Sequence, residues 1–372
     1  WTASITVGIV YLFKLVAMLV LCFSIPYFLR NERVFWKAQK VLFSVFAVII
    51  LYSVFESITF LHLPSSRVFG KLSAAVTSVF NNENDLASCI TIALPFLITS
   101  IFMLHIKTRY KVAIYITTIM AFYTLIATGS RSNNFLALPL IIFVLCVVVP
   151  KAISREKFSR PNIIKGVLLI IVGILIINTM SAVFLSPQAR DKAKTKLWST
   201  FDMFSDMQDA GWSLEEGNNE ILPGKSGESA KVRKYLIING LKFLYDSYYL
   251  GVGPGNIEPL MKEHGVKVNK TNMHNWWVEV LVNFGDVIFI LYMTLYFWTL
   301  WRLYNILRLR VSPQISPLVR WGAVSSLASL IGFFMGGIAP STAVHFTPMW
   351  ISYGLGLTVI VLATRMKDDM AV

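Results

Sequence analysis

The chain has 372 residues, 55% of them hydrophobic, and a mean hydropathy of +0.62. A water-soluble fold of this length has no interior large enough to hide so much apolar surface, which excludes an ordinary soluble domain. The net charge of +14 at pH 7 raises the question of a polyanionic partner, and the placement of the charge decides it.

Taken in chain order, apolar runs fall at 5–29, 41–61, 86–106, 112–128, 134–150, 163–183, 276–301, 321–339 and 349–364. Each is about 17 to 26 residues long, enough to cross a hydrocarbon core. Lipid offers no partner for backbone polar groups, so lone spans must be helical. The fold expected is all-α: a polytopic membrane helix bundle with one large helical extracytoplasmic loop. Residues 1–183 hold six spans, 184–275 the loop, and 276–372 three more spans.

The segments 30–40, 107–111, 151–165 and 302–320 carry the whole positive surplus. Nine spans would place all four on one face of the membrane, the cytoplasmic one by the positive-inside rule. The charge therefore reads as topology, and no nucleic-acid partner is expected. Segments 62–85, 129–133, 184–275 and 340–348 then lie outside, with Trp1. The chain starts on Trp1 without a charged leader, so the numbering is expected to begin inside a longer protein with an odd number of upstream spans.

The external loop is nearly neutral, with 12 Lys and Arg against 11 Asp and Glu. Within it, 189–208 places Leu197, Phe201 and Phe204 near one helical face, and 209–227 has loop composition. A second helix is expected from Ser229 to Tyr249, with Leu236, Gly240, Phe243 and Leu244 on one side. It ends in Gly251-Val-Gly-Pro-Gly255-Asn256, which permits tight turns with positive φ and close backbone approach.

Candidate functional groups are polar side chains on the external side. Arg131 lies in Thr128-Gly-Ser-Arg-Ser-Asn-Asn134, against the charge bias and at a helix N-terminus that favours an anion; the bland alternative is an arginine reaching headgroup phosphates. Arg233 sits in Lys231-Val-Arg-Lys-Tyr235, which also fits a solvated helix face. His274 opens His-Asn-Trp-Trp-Val-Glu279, where the tryptophans mark the membrane interface. A histidine there can exchange a proton near neutral pH, or can simply bond to water. Glu279, costly in a span unless paired, is expected to orient His274 or pair with Arg131. Asn81-Asn-Glu-Asn-Asp85 reads as a helix cap or as a polar lip for a sugar. Lys14 and Glu56 are intramembrane ionisable groups without evident partners in the sequence, unless they pair with each other. His62, His264 and His345 read as structural. Cys22, Cys89 and Cys146 are isolated and have no metal-ligand spacing.

No external DxD, HExxH, P-loop or GxSxG occurs. Two arginines and a histidine suit displacement of a pyrophosphate. That leaving group is already anionic and departs onto fixed positive charge, while a base deprotonates the attacking hydroxyl.

These residues resemble a known family. Thr-Gly-Ser-Arg131 opening a span, an arginine in a large loop, Gly251-Val-Gly-Pro-Gly-Asn256, His274-Asn-Trp-Trp-Val-Glu279 and Asn82-Glu-Asn-Asp-Leu-Ala87 are together similar to segments of the bacterial O-antigen ligase and polymerase family, over roughly residues 80–290. The resemblance implies a multi-pass enzyme of the bacterial cytoplasmic membrane with its site on the extracytoplasmic side. It implies metal-independent, inverting transfer of a glycan from undecaprenyl pyrophosphate, without a cofactor, onto a glycan or lipid-linked acceptor among membrane lipids. Arg131 and Arg233 would hold the pyrophosphate and His274 would activate the acceptor hydroxyl. Asn82, Asn84, Ser130, Gly253, Asn256, Asn275 and Glu279 would contact substrate. Polymerase is favoured over ligase or protein oligosaccharyltransferase. A lipid-linked glycan transporter is the rival from another class; it predicts more intramembrane charge and inverted repeats, and neither is seen.

Overall fold

The computed structural model describes residues 4–154, 159–185, 190, 229–266, 268, 270–338 and 343–369. The helix expected over 189–208 and the loop over 209–227 lie outside these residues, Arg190 aside. Among the described residues the chain is all-helical. The helices are α1 (Ile5–Phe28), α2 (Glu32–Thr59), α3 (Glu83–Met103), α4 (Thr108–Thr128), α5 (Arg131–Ala152) and α6 (Arg160–Phe184), then α7 (Ser229–Asp246), α8 (Ile257–His264), α9 (Trp276–Leu307), α10 (Pro317–Gly336) and α11 (Thr347–Asp368).

Nine of the described helices are long and apolar enough to cross a membrane, and each overlaps an expected span. Several begin or end outside the apolar run because polar groups close their ends. Asn31 caps α2, its side-chain oxygen accepting from the Val34 N–H at 3.0 Å. The end of α9 is closed by Arg320, 4% exposed, which donates to the carbonyls of Leu307, Ser312 and Ile315 at 3.2, 2.7 and 3.0 Å. A cation is favoured there by the helix dipole.

The described chain divides into two compact units. The larger comprises residues 21–196, 299–336 and 348–372. Its centre is α10, buried along most of its length against α3. Small residues let α10 approach its neighbours closely without a hydrophobic drive from water: a Cβ on Gly332 would sit 2.6 Å from Leu140 of α5, and Ser325 shares a hydrogen bond of 2.8 Å with Thr99 of α3. Trp321, fully buried, is ringed by Phe35, Trp36, Phe43 and Phe96. By contrast, α6 buries only Gly173.

Glu56 is partnered in this unit, contrary to expectation. Its carboxylate accepts from Thr77 N at 2.9 Å, Ser78 N at 2.6 Å and Thr77 Oγ1 at 3.0 Å, and lies 2.7 Å from His62 Nδ1. The partners come from the segment that follows α2, not from Lys14. A buried carboxylate with several donors is tolerated where a bare one is not.

The smaller unit comprises residues 1–20, 197–298 and 337–347. Its core joins the loop helices to the start of α9: Val232, Leu236, Phe243 and Leu244 of α7 pack with Val252, Ile257, Met261, Met273 and Val282.

Candidate active site

In the smaller unit, α9 is broken at Gly285, which has φ 79 and ψ 176. The break leaves helix carbonyls without their usual i+4 donors, and the glycine-rich turn supplies replacements. Val252 N–H donates to the Val282 carbonyl at 2.9 Å and Gly253 N–H to the Asn283 carbonyl at 3.0 Å, while Asp286 N–H donates to the Tyr249 carbonyl at 3.0 Å. The approach is too close for any side chain: a Cβ on Gly251 would lie 2.5 Å from Gly285 N, and one on Gly285 would lie 2.5 Å from the Leu250 carbonyl carbon. Gly251, Gly253 and Gly255 have φ of 84, 89 and 75, as the composition of the turn predicts.

This docking accounts for two residues expected to contact substrate. Gly253 is buried, with its N–H committed to Asn283. Asn256 is 1% exposed and accepts from Ser4 N–H at 2.9 Å, tying the loop to the start of the chain. Asn283, which the sequence reading missed, is 2% exposed and accepts from Gly255 N–H at 3.0 Å.

The turn brings α1 into the site. Tyr11 donates to Glu279 Oε1 at 2.9 Å. The shown partner of Glu279 is thus a phenol from α1, where His274 or Arg131 was expected. Around this pair lies a cavity of about 100 Å³, lined by Tyr11, Lys14, Glu258, Glu279, Asn283 and His345 among others. It has room for several water molecules, with two carboxylates, an amine, two amides and an imidazole around them. His345, read as structural from the sequence, is held below the ordinary histidine range, first by burial and then by the nearby Lys14 charge. Lys14 was singled out as an intramembrane cation, but nothing in the sequence pointed to these neighbours.

His274 lies two residues before α9 and has φ 51, left-handed for a residue with a Cβ. It is half-buried. Asn275 is the cap of α9, its Oδ1 accepting from Trp277 N–H at 3.1 Å and Val278 N–H at 3.3 Å. Trp276 fixes this end of the helix: its N–H donates to the Gly337 carbonyl at 3.0 Å and its indole to Tyr292 at 2.9 Å. On α7, Arg233 is half-buried and Lys234 is 7% exposed, so this part of the helix is not a solvated face.

The other expected residues belong to the larger unit. Arg131 is the first residue of α5, after Gly129 with φ 61. Its turn is clamped by the fully buried Asn133, which donates to Ser88 Oγ at 3.3 Å and Ser130 Oγ at 3.2 Å and accepts from Thr91 at 3.0 Å. Ser130 is therefore buried in the clamp. Asn82 caps α3, accepting from Asn84 N–H at 3.0 Å and Asp85 N–H at 3.1 Å. Of the two readings of that polar run, the cap is present in the structure.

Residues 116–293 match the family model described as O-antigen ligase. Over that stretch the chain is similar to O-antigen ligases. The chain is also 27% identical over 376 positions to a teichuronic acid biosynthesis protein of Bacillus subtilis (strain 168), covering 99% of this chain and 69% of that protein. With nine apolar helices among the described residues, these similarities support a multi-pass membrane enzyme of polysaccharide biosynthesis. The O-antigen ligase match contains Arg131, Arg233, His274, Glu279 and Asn283, whereas Tyr11, Lys14 and His345 lie outside it.

Proposed function

We propose that the chain is a metal-independent, inverting glycosyltransferase. It moves a glycan from undecaprenyl pyrophosphate to an acceptor sugar hydroxyl and joins the lipid-linked repeats of a surface polysaccharide. The observation that carries this reading is that one family match spans Arg131, Arg233 and His274 in a chain similar along 99% of its length to a teichuronic acid biosynthesis protein. The site faces the extracytoplasmic side of the cytoplasmic membrane, away from the basic segments.

His274 takes the proton of the acceptor hydroxyl as its oxygen attacks the anomeric carbon. The bond from that carbon to the phosphate oxygen breaks, and the electron pair leaves with the pyrophosphate. Arg131 and Arg233 stabilise the charge that accumulates there; guanidinium suits this role because it binds phosphate oxygens in pairs and stays ionised. One displacement inverts the anomeric centre. Asn275 and Ser130 stand beside His274 and Arg131 in sequence, Asn82 and Asn84 at the start of α3 contact substrate, and the cavity around Glu279 and Tyr11 receives acceptor hydroxyls.

Ligation to a different acceptor is the second reading, favoured by the description of the matching family as O-antigen ligase. The test is purified protein with an undecaprenyl-pyrophosphate oligosaccharide and excess chelator, offered lipid-linked repeats and a lipid A core in competition. Polymerase activity gives a ladder of longer lipid-linked glycans. Transfer to the core alone replaces polymerase by ligase, and no transfer to either overturns both.

A further inference from the structure

The larger unit carries a cationic cavity that the proposed transfer does not use. It measures about 750 Å³ and is lined by Pro150, Lys151, Ile153, Ser154, Tyr304, Arg308, Leu309 and Arg310. Among the described residues, every charged group on its wall is a cation. Two of these cations share one aromatic ring: Lys151 Nζ lies 5.2 Å from the Tyr304 ring centre and donates to its hydroxyl at 3.1 Å, and the Arg308 guanidinium lies 5.4 Å from the same centre. The backbone fixes the arrangement, since Leu309 N–H donates to the Lys151 carbonyl at 3.0 Å. Two like charges gathered on one ring, with no acid among the described residues of the wall, form a site that an anion completes.

A second cavity, of about 270 Å³, shares Lys151 and Tyr304 with the first. The rest of its wall is apolar: Phe143, Val147, Val148, Leu300, Trp301, Leu327 and Ile331. Phe143, Val147 and Trp301 are 42%, 40% and 58% exposed. Val147 and Val148 belong to a π-helical turn, Val144–Val148, inside α5. A π turn adds a residue to the helical circuit and is frequently found at functional sites. Here it precedes Pro150 and Lys151, so the apolar groove and the cationic cavity meet at one pair of side chains.

We propose that this paired cavity is a binding site for an anionic phospholipid. The phosphate lies among Lys151, Arg308 and Arg310, and an acyl chain lies along Val147, Trp301 and Ile331. A basic pocket between membrane helices next to an apolar groove matches both ends of such a lipid, whereas a free phosphate uses only one.

The test is native mass spectrometry of the full chain in neutral detergent after addition of phosphatidylglycerol or phosphatidylcholine. The wild type retains phosphatidylglycerol roughly tenfold or more above phosphatidylcholine. Lys151→Gln with Arg308→Gln abolishes the preference, and Val147→Trp, which fills the groove and leaves the cations, lowers retention. Both variants keep the wild-type unfolding midpoint in lipid-free detergent. Equal retention of the two lipids, unchanged preference in the double variant, or full displacement of the lipid by millimolar inorganic phosphate overturns the proposal.

Discussion

At the scale of single residues, the cavity around Tyr11 and Glu279 shows how an ionisable group takes its character from a distant neighbour. His345 and Lys14 are far apart in sequence, yet they line the same space. The His345 imidazole is held below its ordinary value by burial and then by Lys14. A histidine lowered in this way favours folding as the neutral ring. Its contribution is present above the unfolded histidine value, near about 6.5, and is lost as pH falls through that region. Replacing Lys14 by Met removes one of the two causes. The His345 titration followed by NMR then moves up toward the ordinary value; an unchanged midpoint contradicts the charge assignment. Other single residues were legible in the sequence only as types. Asn82 was read as a cap or a sugar contact and makes cap bonds, and Asn275, expected only at substrate, also caps a helix. Glu56 was visible as costly, but its partners include the backbone N–H groups of Thr77 and Ser78, which no residue pattern announces. Asn133 and Asn283 gave no signal, since buried amides that clamp a turn look like any other polar residue.

At the scale of elements, the spans were readable because lipid permits little else: a long apolar run must be a helix. Helix α7 and the positive φ of the glycine turn were readable for similar reasons of pattern and sterics. The break in α9 at Gly285 was not. A glycine inside an apolar run reads as a tolerated residue, and only the approach of Leu250 reveals its necessity. Gly285→Ala places a Cβ 2.5 Å from backbone at a φ of 79. We expect a loss of about 3 kcal/mol or more, seen as a lower unfolding midpoint and faster proteolysis within the loop. Gly356→Ala is the control, because a Cβ there meets only side chains at 3.6 Å and beyond; it should change stability by about 1 kcal/mol or less. Equal behaviour of the two variants contradicts the docking role given to the break.

At the scale of the whole molecule, charge and chemistry separate. The basic surplus lies in four short segments between spans, while the proposed transferase residues come from elements at the other ends of those spans. The ordered set of Arg131, Arg233 and His274 made a polysaccharide-biosynthesis enzyme readable through family resemblance, and the O-antigen ligase match spans all three. The part played by α1 was not readable, because Tyr11 reaches Glu279 across a sequence separation of 268, and one tyrosine among many apolar residues carries no periodic mark. In the proposed transfer His274 activates the acceptor hydroxyl while Arg233 holds the pyrophosphate of the donor. The most direct measurement is turnover of an undecaprenyl-pyrophosphate oligosaccharide by purified wild type, His274→Ala and Arg233→Ala, with chelator present and folding checked by unfolding midpoint. The account predicts wild-type release of the carrier pyrophosphate and a fall of at least about 10²-fold in each variant. Full turnover in either variant, or turnover only when a divalent metal is restored, would contradict it.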